Sequence, residues 1–475
     1  MAFRPLVGLE VHAQLLTRSK MFCTCPVEFG SEPNSNCCPV CTGMPGSLPV
    51  PNRKAAELVI RTGLALGCQV GEYCRFYRKN YFYPDVGKNF QITQYDEPLT
   101  YDGRMDLSVD GEPFAVGIRR AHLEEDTGKN IHLSDGRSLL EYNRAGVPLM
   151  EIVTEPDFTT ADQVREYLVQ LRRLLRYLEV SSANMEEGAM RCEPTVNLVD
   201  RDEGLATPMV EIKNLASFRA VYDAVKYEIE RQYWCVENDA PMQRETRRWN
   251  ETEGKTTVMR AKETADDYMY FTEPDLPPLA PEPEWVKQIA DDLPELPLAR
   301  QERFVNQYGL PQYDAEVLTE DKQVADYFEA VTEACDDPKA ASNWIMGDFT
   351  YMLHQSGVGP SECKLEPCNL AKLIKLVDDG TISSKIAKDI FPTLFEDNCD
   401  PQQLIEQRGL AQISDQDELL ALVDAAIEAN PKAAEDYRNG KDKALAAMVG
   451  HVMKATRGQA NPGMVNSLLR ERLGR

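Results

Sequence analysis

The chain has no apolar run approaching the roughly 20 residues that span a bilayer. Arg4 and Glu10 interrupt its only apolar stretch near the N-terminus. Neither a membrane span nor a signal peptide is predicted, and a cytoplasmic location is the expectation. Also missing are a GxxxxGK(S/T) loop, a GxGxxG after a strand and a GxSxG elbow. A bound nucleotide would therefore be held by none of the common loops, and no hydrolase-type serine is indicated. Positive charge is scarce: 52 Lys and Arg face 77 Asp and Glu, for a net charge of −25. That balance argues against a surface that coats nucleic acid non-specifically. The exception is the C-terminal stretch. Residues 431–475 hold nine basic and four acidic side chains, about +5, which leaves about −30 for the rest. A local phosphate-contacting module there stays open, beside the plainer reading of a solvated face.

What is present fits an ordinary globular protein of two to four domains. The length is 475 residues, with 43% hydrophobic and 27% charged content. The thirteen cysteines are odd in number and scattered, unlike a disulfide framework. Four of them form Cys23-Thr-Cys25 and Cys38-Pro-Val-Cys41, a CxC-x12-CxxC pattern. This spacing predicts a tetrahedral Zn²⁺ site with every position filled by thiolate. Such a site staples a loop and performs no chemistry. A redox CxxC is the rival, but no thioredoxin-like βαβ pattern surrounds it. Cys37 is read as a bystander.

Pro5 to Leu15 alternates, with Val7, Leu9 and Val11 on one face of a strand and Gly8, Glu10, His12 and Gln14 on the other. Further strands are predicted at 114–125, 149–156, 190–198 and 210–214, each carrying acids. Together they predict a large antiparallel sheet with a carboxylate-lined side. Carboxylates beside phosphate and water oxygens suit Mg²⁺. Residues 52–66 read as a helix ended by Gly67. The aromatic and basic run Phe76–Asp85 reads from composition as packed core with snorkelling cations. A proline-rich boundary spans 272–283. Beyond it helices are expected, among them 325–335, 342–353, 419–427, 442–454 and 461–473, with Ser383 or Ser384 as a cap.

The motifs also carry a resemblance. Val7-Gly-Leu-Glu-Val-His-Ala-Gln-Leu15, Phe22-Cys-Thr-Cys-Pro26 and Cys38-Pro-Val-Cys-Thr-Gly-Met-Pro-Gly-Ser-Leu-Pro49 are among its residues. So are Arg78-Lys-Asn-Tyr-Phe-Tyr-Pro-Asp85, Gln91-Ile-Thr-Gln-Tyr-Asp96 and His122-Leu-Glu-Glu-Asp126. Asn143-Arg-Ala-Gly-Val-Pro-Leu-Met-Glu-Ile152, Asn184-Met-Glu-Glu-Gly188, Val210-Glu-Ile-Lys-Asn214 and Trp344-Ile-Met-Gly347 complete the series. Over essentially its full length the chain resembles the B subunits of the bacterial aspartyl/glutamyl-tRNA amidotransferases. The resemblance implies an α+β cradle domain with a large antiparallel sheet over 1–290, including a zinc-binding insertion at 22–42. An all-α helical domain over 291–400 and a helical tail over 401–475 that contacts tRNA would follow.

The implied activity uses ATP and Mg²⁺ to phosphorylate the side-chain carboxylate of Glu on tRNA(Gln) or Asp on tRNA(Asn). Ammonia from a glutaminase (amidase) partner then gives the amide, and a small third partner holds the two together. Carried over by position, Glu10, His12, Glu125 and Glu151 match the metal-centred site, with Glu124 and Asp126 flanking it. Glu125, Glu10 and His12 are the expected catalytic residues. Lys79, Tyr81 and Lys88 match a tunnel or substrate wall, and Arg191, Glu211 and Lys213 match nucleotide contacts. The chain departs from the family pattern at Glu193-Pro-Thr195, Ala216 and Met269. Its length leaves no room for the synthetase-like insertion of the archaeal-type relatives, and no Ser/Lys amidase pattern marks a self-sufficient glutaminase. The remaining rival is a catalytically silent, zinc-stapled tRNA-binding scaffold, disfavoured by the acidic strands.

Overall fold

The computed structural model describes residues 3–200, 202–261, 268–410, 416–439, 441–456, 460 and 462–474. The chain forms two compact units, Met1–Leu296 and Pro297–Arg475. In the first, the strands are β1 (Arg4–Gln14), β2 (Gln69–Val70), β3 (Tyr77–Asn80), β4 (Phe90–Thr93), β5 (Thr100–Val109), β6 (Glu112–Glu125), β7 (Lys129–His132) and β8 (Ser138–Glu141). They continue as β9 (Pro148–Thr154), β10 (Met190–Asp200), β11 (Leu205–Ala206), β12 (Val210–Lys213), β13 (Glu245–Asn250), β14 (Lys255–Ala261) and β15 (Met269–Thr272). Thirteen of them make one sheet whose main path is β14-β13-β12-β10-β1-β9-β6-β4-β3-β15. The pairing is antiparallel, as the alternating strands predict, except between β12 and β13, which run parallel.

The alternation of β1 sets the two faces. Val7, Leu9, Val11 and Ala13 are buried. Against the apolar side pack the helices α1 (Arg53–Ala65), α2 (Ala161–Tyr177) and α3 (Phe218–Glu237). α1 begins at Asn52, whose side chain accepts from the Lys54 and Ala55 backbone N–H groups, and this capping starts the helix at the expected place. α2 buries Val164, Leu168, Leu171 and Leu175 at helical spacing, and Tyr167 sets its ring edge-on to Phe158 at 5.3 Å. The other face of β1 keeps Gly8, Glu10 and His12 clear of the core, and there the sheet is open for chemistry. A fourth helix, α4 (Pro283–Asp291), closes this unit after the proline-rich stretch.

The second unit is helical: α5 (Pro297–Tyr308), α6 (Gln312–Leu318), α7 (Lys322–Cys335), α8 (Pro338–Trp344), α9 (Thr350–Ser356), α10 (Pro367–Asp378), α11 (Ser384–Asp397), α12 (Pro401–Arg408), α13 (Gln416–Ala429), α14 (Pro431–Arg438), α15 (Leu445–Ala455) and α16 (Pro462–Leu473). It contains two separate apolar clusters. One runs from Phe304 to Ile405 and one from Leu419 to Leu473. The expected single helix over 342–353 is interrupted: Ile345–Phe349 forms one π-turn between α8 and α9, and Thr350 Oγ1 donates to the Ile345 carbonyl at 2.7 Å. Ser383, one of the two expected caps, accepts from the Ile386 N–H.

Candidate functional site

Strand register assembles an acidic cluster from three distant segments. His12 of β1 lies opposite Glu151 of β9, and Glu151 lies opposite His122 of β6. Two residues along β6, Glu124 projects to the same face as His122. His12 Nε2 stands 3.0 Å from Glu151 Oε2 and 3.3 Å from Glu124 Oε2. Thr93 donates to Glu124 at 2.7 Å and Gln91 donates to it at 3.2 Å, so its orientation is fixed from β4. One ligand atom each from His12, Glu124 and Glu151 falls within 4.8 Å of the others, a spacing that can hold a cation. Two carboxylates and one imidazole suit a divalent ion that keeps waters and takes further oxygen ligands from a substrate.

The two carboxylates draw positive charge to this point, and an ion bound there would displace the proton of His12. Burial opposes the charge of the His12 imidazolium, but hydrogen bonds to Glu124 and Glu151 outweigh it and raise the pKa to about 10. Burial likewise opposes ionisation of Glu124 and Glu151. The histidines and, at Glu124, the Lys79 ammonium pull both carboxyls below the usual range. Glu10 is pushed up to about 7 by its enclosure, with repulsion from Glu151, Glu193 and Glu211 adding to it.

The cluster is the floor of a cavity of about 600 Å³. Its walls carry cations from several elements: Lys79, Arg119, Arg120, Lys213 and Arg244. Lys213 sits between Glu193, with which it forms a close ion pair, and Glu211 at 2.8 Å. Tyr95 and Tyr270 stack at the rim, with centroids 4.5 Å apart and rings 16° from parallel. Tyr268 lies under the Lys79 ammonium at 4.9 Å. The combination of a two-carboxylate floor, cationic walls and flat aromatic surfaces is complementary to a metal-bound phosphate ester with a ring attached.

Most of the residues singled out in the sequence meet here. Glu10, His12, Glu151, Lys79, Glu211 and Lys213 all line the cavity. Arg191 is on the same face of β10 but turns to Asp126, at 3.0 Å, and does not line it. Tyr81 stands one step back, with its ring 5.6 Å from that of Tyr268. Glu125 is not brought to His12. β6 turns it to the opposite face, where it is ion-paired with Lys88 and accepts from the Ile92 N–H at 2.9 Å. This pair lines a small separate cavity of about 20 Å³ with Cys41, Gln91, Asp126 and Gly146. Glu124 takes the place beside His12 that the resemblance gave to Glu125. Strand parity was the available signal, since His122 and Glu124 are two apart and Glu125 is not in step. Arg119 and Arg120 carried no motif that would have singled them out; Tyr95 stands within the Gln91–Asp96 motif and Tyr268 and Tyr270 flank Met269, but no role was expected of them. In the Phe76–Asp85 run only part is core: Phe76 is buried, while Phe82 and Tyr83 are exposed and Lys79 faces the cavity.

The four cysteines of the CxC and CxxC pairs converge, with all four sulfurs within 4.8 Å of one another, and can hold a metal ion. The Cys38 N–H donates to Cys41 Sγ at 3.1 Å. The Cys23 thiol hydrogen bond pulls Cys41 down to about 4 against the effect of burial, with help from the Cys38 backbone and Lys20. Burial pushes Cys25 up to about 11. A soft divalent ion would ionise all four and relieve this competition for protons. Cys37 stays outside, its Sγ 3.1 Å from the Asn34 carbonyl.

Comparison with known proteins adds two family matches. Residues 5–287 match the GatB/GatE catalytic domain, and residues 326–473 match the GatB domain. Among curated relatives, the aspartyl/glutamyl-tRNA(Asn/Gln) amidotransferase B subunit of Thermoanaerobacter pseudethanolicus is 47% identical over 475 residues, covering 100% of both chains. The protein of the same name from Caldicellulosiruptor bescii is 49% identical over 479 residues, covering 100% of this chain and 99% of its own. That of Thermodesulfovibrio yellowstonii is 45% identical over 469 residues, covering 99% of each.

Proposed function

Because the chain belongs to the B-subunit family of aspartyl/glutamyl-tRNA amidotransferases, glutamine-dependent carbon–nitrogen ligases of protein biosynthesis, we propose that it carries the ATP-dependent activation step. The substrate is the side-chain carboxylate of Glu on tRNA(Gln), of Asp on tRNA(Asn), or both. Its oxygen attacks the γ-phosphorus of ATP, ADP leaves, and an acyl phosphate forms. Ammonia then attacks the acyl carbon, phosphate leaves, and the nitrogen loses a proton. A carboxylate is a poor electrophile toward ammonia; the acyl phosphate supplies the leaving group.

The observation that carries this reading is the His12–Glu124–Glu151 cluster, with both carboxylates buried, on the floor of the cation-walled cavity. These three residues would hold Mg²⁺, with Glu10 beside them. Bound there, the ion would neutralise charge on the transferring phosphate. Lys79, Lys213, Arg119 and Arg120 supply positive charge from the walls, and Glu211 orients Lys213. Tyr95 and Tyr270 offer a flat surface to a base. Glu125, ion-paired with Lys88, would take the proton from ammonium or from the attacking amine. The nitrogen is supplied by the glutaminase (amidase) partner, with a small third partner joining the assembly. Zn²⁺ fills the four-cysteine site, and the protein works in the cytoplasm. No helix among the described residues is long and apolar enough to cross a membrane.

The test uses the complex with its partners, given ATP, Mg²⁺, free ammonium and Glu-tRNA(Gln). The amino acid is released from the tRNA and glutamine is measured. Free ammonium bypasses the glutaminase, so the assay isolates this chain's step. Glutamine is expected from the wild type, and Glu125→Ala is expected to lose it. If neither Glu-tRNA(Gln) nor Asp-tRNA(Asn) is converted by the wild type, only the scaffold reading survives.

A further inference from the structure

The four-cysteine centre lies against the Lys88–Glu125 pair, and two sets of contacts join them. The first grips Lys88. Its ammonium stands 5.7 Å from the ring centroid of Phe22, which precedes Cys23. At its stem Gly43, two residues beyond Cys41, adopts a left-handed φ of +70° and packs directly on Lys88. A Cβ at Gly43 would meet Lys88 Cγ at 2.5 Å and Lys88 Cα at 2.8 Å. The backbone of the knuckle is therefore moulded to this lysine, and one arm of each cysteine pair touches it.

The second set passes through Lys20. This lysine is 1% exposed, a costly position for an ammonium group without negative charge nearby. Its Nζ reaches Cys41 Sγ at 3.7 Å and the Tyr142 carbonyl at 3.2 Å. Four thiolates around a divalent ion carry two surplus negative charges, and Lys20 offsets one of them. The turn that follows Tyr142 holds Gly146 at φ +84°, where a Cβ would lie 3.3 Å from Cys41 Cβ, 3.5 Å from Lys20 Cδ and 3.8 Å from Glu125 Oε2. Cys41, Lys20 and Glu125 thus close on one point of backbone.

We propose that the four-cysteine centre is the seat of the Lys88–Glu125 pair: its bound ion would fix the two arms that contact Lys88, Phe22 at its ammonium and Gly43 at its stem, and Lys20 ties Cys41 to the turn behind Glu125. The centre thereby sets the geometry of the small cavity as well as stapling a loop. Lys20 and Gly43 are positioning residues. The inference rests on the reading that the thiolates bind zinc, and on no step of the amide chemistry.

The experiment follows the acetylation rate of individual lysines by peptide mass spectrometry in the intact complex, with zinc content measured in parallel. Lys79, on the wall of the other cavity, is the internal control. With metal bound, Lys88 reacts slowly. Removing zinc with a chelator is expected to raise Lys88 acetylation several-fold and leave Lys79 unchanged. Gly43→Ala is expected to raise it as well while zinc content stays at that of the wild type. Lys20→Met is expected to weaken metal retention by about 10–100-fold, the range for a group that supports a ligand, with Lys20→Arg restoring part of it. Unchanged Lys88 reactivity after chelation, with four thiols newly titratable, overturns the proposal. Absence of zinc from the purified complex overturns it through its premise, and the zinc measurement tells the two failures apart. Should Gly43→Ala fail to fold, the chelation arm on the wild type decides alone.

Discussion

Glu124 and Glu125 are adjacent and chemically alike, yet β6 sends one to the floor of the large cavity and the other to the pair with Lys88. Their substitutions should therefore separate the steps. Glu124→Gln removes one carboxylate charge from the cluster proposed to hold the ion. It is expected to slow ATP-dependent activation by about 10²–10³-fold, the scale of losing one preorganised electrostatic partner. ADP release driven by the mischarged tRNA reads this directly. Glu125→Gln is expected to keep more of that ADP release than Glu124→Gln and to lose glutamine formation. Equal effects of the two on ADP release would contradict the division. The sequence showed that acids crowd this strand, and the period-two rule contained which of them joins His12. It could not show that the Lys79 charge acts on Glu124 from across β4, because that approach depends on strand order. A second expectation concerns packing. A Cβ at Gly103 would lie 2.3 Å from Cys68 Sγ and 2.8 Å from the Leu66 carbonyl, where the backbone cannot yield freely. Gly103→Ala is expected to destabilise the sheet unit by about 1–3 kcal/mol, seen as a lower melting midpoint by calorimetry.

Among elements, α7 and α11 were legible because each buries its own apolar stripe at the expected spacing, whereas α2 and α3, which bury theirs against the sheet, were not expected. The π-turn at Ile345–Phe349 was not, since one extra residue in the hydrogen-bond ladder leaves no mark on an already apolar run. Sheet order was equally silent. β1 pairs with β9 and β10, more than a hundred residues away, and local pattern carries no record of the partner. α5 and α7 show what holds the helical unit beyond apolar contact. Glu329 of α7 is ion-paired with Arg300 of α5, accepts from Arg303 Nη1 at 2.7 Å and takes the Tyr308 hydroxyl at 3.2 Å. Burial opposes its ionisation, but the hydrogen bonds and charge of the two arginines lower its pKa below 4.5. A depressed carboxyl stabilises the fold above its unfolded value, and that contribution is lost as pH falls through the folded value. Glu329→Gln is expected to cost about 1–3 kcal/mol at neutral pH and to flatten the fall in stability below about pH 4.5. Thermal unfolding followed from pH 7 to pH 3 checks it. Parallel pH curves for wild type and variant would show that the pair contributes nothing to acid sensitivity.

For the whole molecule, a net charge of −25 is at odds with binding a polyanion, and the uneven charge distribution is the way out. Far from the protein, tRNA meets repulsion that salt screens. At the surface it needs local cations, and salt weakens those contacts. In the C-terminal stretch Lys432, Arg438 and Lys443 are exposed on or beside helices packed over their own apolar cluster. If these residues neutralise phosphates, reversing them to Glu raises the Kd for tRNA and also reduces its salt dependence. Each lost contact to duplex phosphate lowers the slope of log Kd against log salt by about 0.9. A purely solvated tail loses no phosphate contact: reversal would add only screened repulsion, shift Kd modestly at low salt, and change the slope by far less than about 0.9 per residue. The slope therefore discriminates where a single affinity cannot. The expected outcome for the triple reversal, measured by fluorescence anisotropy with the intact complex across a salt series, is a slope shallower by about 2–3. Glutamine formation from free ammonium at saturating tRNA should be unchanged, because none of the three residues lines either cavity.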